Sequence, residues 1–254
     1  MHEYIHPDPI LPPLLEEAFA TSTVFDSDGC SVPLDSNVSR EEALLLNAAV
    51  RYLKPVTSIE IGLAKGVSAL AILGAIKANG FGCHTVCDPF QLDYGNAGIE
   101  MVRRAGLDPW WNFQRKYVEE VVPSIDALQF AFVDASHLFD LTLVEFVLID
   151  KKLDEGGVIG FHDMWMPALQ KLLRFILENR EYEIWKPPAF DSAVRESSLS
   201  VKNRVFKLIG QVPYVEKILA PEALVPWQGL NVPNLVLLRK IKHDNRDWQF
   251  FAKF

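Results

Sequence analysis

The sequence predicts an α/β protein: a doubly wound, mostly parallel sheet with an N-terminal arm and a helical insertion before the last strand. Short apolar runs alternate with stretches of helical periodicity about 10–15 residues long, the rhythm of strands joined by crossover helices. Runs such as LQFAFVDA and GVIGF are apolar throughout, as expected of strands covered on both faces. The strand ends are polar: Glu60-Ile61-Gly62, Asp88, Asp134-Ala135-Ser136-His137 and His162-Asp163. In open parallel sheets that edge is where ligands bind.

Taken in order, residues 1–38 are rich in Pro, Asp and Ser and read as an arm or lid with one helix around Leu14 to Phe19. Ser39 opens a capping box with Glu42 and starts the domain, 39–254, with the helix EEALLLNAAVRYL, which stops at Pro55. VTSIEIG is a strand and VSALAILGAIKANG a helix ended by Gly80. HTVCDPF is a strand, NAGIEMVRRAG a helix, and WNFQRKY a weaker strand. LQFAFVDA, LTLVEFVLIDKKL, GVIGFHD, MPALQKLLRFILENR and YEIWK continue the alternation. After Pro187-Pro188 an insertion, about 189–230, holds helical stretches at VKNRVFKLIG and VEKILA, and NLVLLRKI is the last strand. No internal repeat or low-complexity tract interrupts the pattern.

Composition bounds the function. With 49% hydrophobic and 23% charged residues, the chain reads as an ordinary soluble globular protein. A net charge of -8 argues against nucleic acid or an anionic membrane as partner and suits a small-molecule acceptor. The N-terminus lacks a signal-peptide pattern, and no segment approaches the ~20 apolar residues that cross a bilayer, so a cytoplasmic location is expected. Three cysteines do not make a disulfide framework. Cys83, His84 and Cys87 form a CHxxC cluster, but three ligands without a fourth read as half-buried core rather than a zinc site. A homo-oligomer is left open.

In EIGLAKGVS, Gly62 and Gly66 flank a tight strand-to-helix turn where a ligand can approach the backbone. The spacing is neither GxGxxG nor the P-loop, so the usual diphosphate cradle is missing. Asp88 ends the next strand, where a carboxylate can accept both hydrogen bonds of a ribose diol. A glycine turn and a ribose acid without a diphosphate cradle point to a nucleoside.

These features resemble the class I S-adenosylmethionine-dependent methyltransferases, over residues from about Val56 to Trp185, and imply their Rossmann-like fold. FVDASH and GGVIGFHD more narrowly resemble the metal-assisted O-methyltransferases of catechol, caffeoyl-CoA and macrolide-sugar type. The resemblance implies S-adenosyl-L-methionine as cofactor, its methionine portion surrounded by Glu60, Gly62, Gly66 and Ser68. It implies Asp88 at the ribose, and Tyr117 and Val118 near the adenine. Asp134 and His137 form a DxxH pair, and the resemblance makes Asp134 a metal ligand and His137 the base. A neutral imidazole can accept a hydroxyl proton near neutral pH, and a divalent cation can lower the hydroxyl's pKa. The fourth and fifth strands would be neighbours about 4.8 Å apart, so Asp134, His162 and Asp163 could converge on one ion. Related enzymes more often carry Asp-Asn or Glu-Asp at the fifth strand, ligands suited to magnesium, whereas imidazole favours manganese, iron, nickel or zinc. Either both His162 and Asp163 coordinate, or Asp163 alone pairs with Asp134 while His162 packs inward or orients the substrate.

The expected activity is therefore methyl transfer to a hydroxyl of a small molecule, a sugar or natural product, helped by a base and by a divalent metal (Mg or Mn). A nicotinamide oxidoreductase and a non-catalytic binding module are the alternatives. The tryptophans at 110, 111, 165, 185, 227 and 248 are expected mainly to pack, and some to line the cleft.

Overall fold

The computed structural model describes residues 8–188 and 233–250. The predicted insertion, with its two helical stretches and Trp227, lies outside them. So do residues 1–7 of the arm and the last four residues of the tail.

The capping box forms as the sequence predicts. The Ser39 hydroxyl accepts the Glu42 N–H at 3.2 Å, and the Glu42 carboxylate accepts the Ser39 N–H at 2.7 Å, opening α2 (Arg40–Leu53). Ahead of it lie α1 (Pro13–Thr21) and a hairpin of β1 (Thr23–Phe25) and β2 (Ser31–Pro33). Strands of three residues are too short to leave an alternation signal, so the hairpin was not legible in the sequence.

The alternation then runs as expected through β3 (Thr57–Ile61), α3 (Val67–Asn79), β4 (Cys83–Cys87), α4 (Ala97–Arg104) and β5 (Trp111–Gln114). It continues with a short α5 (Val118–Val121), β6 (Leu128–Val133), α6 (Phe139–Asp150), β7 (Leu153–Phe161), α7 (Pro167–Asn179), β8 (Tyr182–Trp185) and β9 (Val236–Lys240). Helix α6 ends at Asp150, not at the Leu153 that the apolar pattern suggested, because Leu153 is fully buried as the first residue of β7.

Seven strands form one sheet in the order β5-β4-β3-β6-β7-β9-β8, and only β9 runs against the others. Alternation divides its side chains between two cores. Phe130 and Phe132 of β6 face the layer of α1–α4, while Ala131 and Val133 face α5–α7. Each buried phenylalanine would cost about 3–5 kcal/mol if cut to alanine. Helix α3 is apolar all round because α2 covers the side turned away from the sheet. The chain reverses its winding between β3 and β6, the crevice where such sheets bind ligands.

Candidate functional site

The loops after β3, β6 and β7 meet at that crevice because their strands are hydrogen-bonded neighbours. Asp134 N–H donates to the Ile61 carbonyl and His162 N–H to the Val133 carbonyl, bringing the three strand ends side by side. A cavity of about 380 Å³ opens there, walled by residues 62–68, by Tyr94, by Asp134, Ala135, His137, His162 and Asp163, and by Ser36, Asn37 and Val38 of the arm. That volume suits a small organic ligand.

Gly62 makes the crevice possible. Its φ is +91°, and a Cβ there would sit 2.1 Å from the Asp134 carbonyl oxygen. The β3 and β6 ends can touch only because this residue has no side chain. Gly66, at φ +83°, then starts α3 with its N-terminus open to the cavity.

The two acids of this half lie beneath the cavity rather than in its wall. Glu60 is fully buried and accepts hydrogen bonds from the Ser68 hydroxyl and, at 3.0 Å, from His84 Nε2. Burial pushes its carboxyl above the usual range, against the pull of His84 and Ser68. The other His84 nitrogen is 2.9 Å from the Ser58 hydroxyl, so both ring nitrogens are engaged inside the core. Cys87 is buried, which lifts its thiol to about 12 and keeps it protonated; of the CHxxC cluster, His84 and Cys87 are core and Cys83 is exposed. Asp88, 4% exposed, accepts N–H bonds from Leu63 (3.0 Å), Ala64 (3.1 Å) and Phe90 (2.8 Å), and one from Gln91 Nε2 (2.7 Å). It pins the glycine loop. Tyr117 is half exposed and meets the Phe90 ring edge-on, while Val118 is buried in the first turn of α5.

The other half is open. His137 Nε2 stands between two carboxylates, 3.1 Å from Asp134 Oδ1 and 3.2 Å from Asp163 Oδ2. The bond to Asp134 raises the imidazole's pKa, against partial burial. His137 and Asp163 hold φ values of +55° and +54°, a backbone state that non-glycine residues adopt at a cost and that clusters at functional sites. Burial works to raise the Asp134 carboxyl, but His137 and His162 bring it down to about 2. His162 Nδ1 lies 3.4 Å from Asp134 Oδ1 and 3.6 Å from Asp163 Oδ1, yet it is buried and forms no hydrogen bond. Burial opposes charge on this ring, and the Asp134 and Glu42 carboxylates outweigh it, lifting its pKa to about 10. Among the described residues, Asp134, His162 and Asp163 form a group whose ligand atoms lie within 4.8 Å of one another.

Several neighbours were not assigned to the site from the sequence. Tyr94 and the arm residues carry no motif. Lys65 reaches across to the Pro33 carbonyl and the Asp35 carboxylate, tying the arm to the glycine loop. Glu42 and Asn234 flank His162. Trp165, 65% exposed, donates its indole N–H to Asp163 at 3.0 Å, whereas Trp185 is buried against Tyr52. No helix among the described residues is long and apolar enough to cross a membrane.

Comparison with known proteins sets likenesses beside this geometry. Residues 59–164 match a family model described as a methyltransferase domain. Tapetum-specific methyltransferase 1 of Arabidopsis thaliana is 28% identical over 191 residues, spanning 72% of this chain and 72% of that protein. Solved structures share the fold at low identity. The O-methyltransferase TomG of Streptomyces achromogenes, in complex with S-adenosylmethionine, is 14% identical with a TM-score of 0.54, covering 68% of this chain and 81% of its own. The Podospora anserina methyltransferase PaMTH1, bound to S-adenosylhomocysteine, is 18% identical with a TM-score of 0.55, covering 71% and 86%.

Proposed function

We propose a reaction on the premise that the chain is a class I S-adenosylmethionine-dependent methyltransferase: it methylates a hydroxyl oxygen of a small molecule, a sugar or natural product. The observation that carries this reading is His137, set between two carboxylates at the wall of the cavity that the glycine loop also lines.

When bound, S-adenosylmethionine supplies an electrophilic methyl group on a sulfonium. The chain's part is to hold it and to prepare the acceptor. The open N-terminus of α3 suits the carboxylate of the methionine portion, beside Gly62, Gly66 and Ser68. Glu60 acts from behind, fixing the Ser68 hydroxyl. Asp88 would serve the ribose by releasing the bond it takes from Gln91, and the exposed Tyr117–Phe90 pair, backed by Val118, would flank the adenine.

An alcohol attacks carbon poorly while it keeps its proton. With Nε2–H donating to Asp134 and Asp163, the lone pair of the neutral His137 ring is on Nδ1, which accepts that proton, and the two carboxylates stabilise the imidazolium that forms. The same contacts that raise the ring's pKa therefore make it a stronger base.

The donor set also fits a divalent cation, on the evidence of the buried His162 Nδ1 that lacks a partner and faces two carboxylate oxygens. Asp134, His162 and Asp163 would hold it, with one nitrogen and two oxygens, a set that favours manganese or zinc over magnesium. A cation there would lower the pKa of the acceptor hydroxyl.

The test is incubation with S-adenosylmethionine labelled on the methyl carbon and a panel of small molecules bearing hydroxyl, amine or thiol groups. Label on hydroxyl oxygen is the expected result. Transfer confined to nitrogen or sulfur would overturn the reading.

A further inference from the structure

The glutamate of a capping box usually serves only its own helix, but Glu42 reaches further. Its Oε2, which accepts the Ser39 N–H, also lies 3.4 Å from His162 Nε2, and its Oε1 lies 3.3 Å from the side-chain nitrogen of Asn234. The three residues are 120 and 192 positions apart in the chain. A carboxylate can only accept hydrogen bonds, so it selects the form of His162 that carries a proton on Nε2. With the proton there, the lone pair of a neutral ring is on Nδ1, the buried atom that faces Asp134 and Asp163 and has no partner. The opposite tautomer would set a lone pair of Nε2 against the Glu42 carboxylate and aim an N–H into the metal position.

Asn234 braces the same carboxylate. Its amide lies 3.0 Å from His162 Nε2, and its oxygen is buried without a partner. That amide nitrogen also donates to Glu42 Oε1 at 3.3 Å, so it holds the carboxylate beside the ring.

We infer that Glu42 is a positioning residue for metal binding: it holds His162 protonated on Nε2 and so presents Nδ1, with Asp134 and Asp163, to a divalent cation. This rests on the metal reading proposed above. The arrangement is a carboxylate–histidine–metal relay whose carboxylate is recruited from a helix cap, and loss of such an outer partner typically weakens metal binding 10–100-fold.

The test uses the full chain without cofactor or acceptor, titrated with Mn²⁺ by calorimetry. Glu42→Leu should weaken Mn²⁺ binding about 10–100-fold. Glu42→Gln, whose amide oxygen still accepts from Nε2–H, should restore most of it. Because Glu42 also caps α2, Ser39→Ala serves as the control: it breaks the cap and should leave Mn²⁺ affinity as in the wild type. With Zn²⁺ as a diamagnetic probe, long-range ¹H–¹⁵N spectra should show the His162 proton on Nε2. Unchanged affinity in Glu42→Leu, equal weakening in Ser39→Ala, or a proton on Nδ1 would each overturn the inference while leaving the metal site standing. A wild-type chain that takes up no Mn²⁺ would remove the metal reading itself, and the role of Glu42 with it.

Discussion

At the ends of β3 and β4 the carboxylates of Glu60 and Asp88 are committed to the protein, buried and bonded on both oxygens to the loop and core around them. At the ends of β6 and β7, Asp134 and Asp163 keep about a fifth of their side-chain surface exposed and crowd two imidazoles. The residue types are alike, but the first pair shapes a loop and the second faces a cavity. What separates the halves is satisfaction. A carboxylate with all its acceptor sites filled holds backbone in place, while one that shares a proton with a neighbour is able to exchange it. Strained φ values occur in both halves, at Ala64 (+41°) in the glycine loop and at His137 and Asp163, so satisfaction and not strain separates them.

The sharpest way to break the comparison is to push the halves apart. Gly62→Ala places a methyl 2.1 Å from the Asp134 carbonyl oxygen at a φ of +91°. The clash is with backbone, which cannot rotate away. Stability should fall by more than about 4 kcal/mol, read by urea unfolding. A loss below about 1 kcal/mol would mean the strand ends can separate cheaply.

His137→Gln tests the open half. Removing a positioned base should lower turnover by about 10²–10⁴-fold, or about 3–5 kcal/mol of barrier. Unfolding stability should stay within about 0.5–1 kcal/mol, because the side chain is 30% exposed. Calorimetric affinity for S-adenosylhomocysteine should not change. Full turnover in this variant would remove the base assignment.

Asp88→Asn tests the closed half and should behave in the opposite way. The amide turns an NH₂ toward one or more of the donors from Leu63, Ala64, Phe90 and Gln91, and no rotation satisfies all four. We expect a loss of about 2–3 kcal/mol in unfolding stability, the cost of a charged acceptor removed from buried partners. Activity should fall with occupancy of the folded state and with the ribose contact proposed for Asp88, so affinity for S-adenosylhomocysteine should weaken as well.

Much of this was legible before any coordinates. Helical and strand periods located the sheet, the Ser39–Glu42 spacing located α2, and the polar strand ends located the crevice. What stayed hidden is long-range. Nothing local in NLVLLRKI announces that Asn234 meets His162, and a capping glutamate gives no sign of a second partner. The saturation of Asp88 was hidden for a related reason. A sequence shows an acid after a strand, but whether backbone N–H groups converge on it depends on how the glycine turn closes. The sequence pattern extends α6 too far because Lys151 and Lys152 keep the helical period while the chain is already turning into β7.

The smallest expected effect sharpens the comparison from behind the open half. Glu145 of α6 is 7% exposed, and one of its carboxyl oxygens has no partner. Burial lifts its pKa from 4.5 to about 7, with the charge of Glu119 adding to the rise and that of His137 opposing it. A raised pKa means that the folded state binds this proton more tightly than the unfolded chain does. The contribution is therefore fully present below about pH 4.5, declines as pH rises toward 7, and is lost above it. At about 1.4 kcal/mol per unit, the ceiling is roughly 3 kcal/mol. Glu145→Gln removes the ionisable proton but leaves an amide short of partners, so the net gain above pH 7 should be about 1–2 kcal/mol. Near pH 4.5 the variant and the wild type should be nearly equal. Urea unfolding at both pH values reads this directly. Equal stabilities at pH 8 would mean that the Glu145 carboxylate finds solvent or a partner, and that the layer behind His137 is as well satisfied as the core beneath the glycine loop.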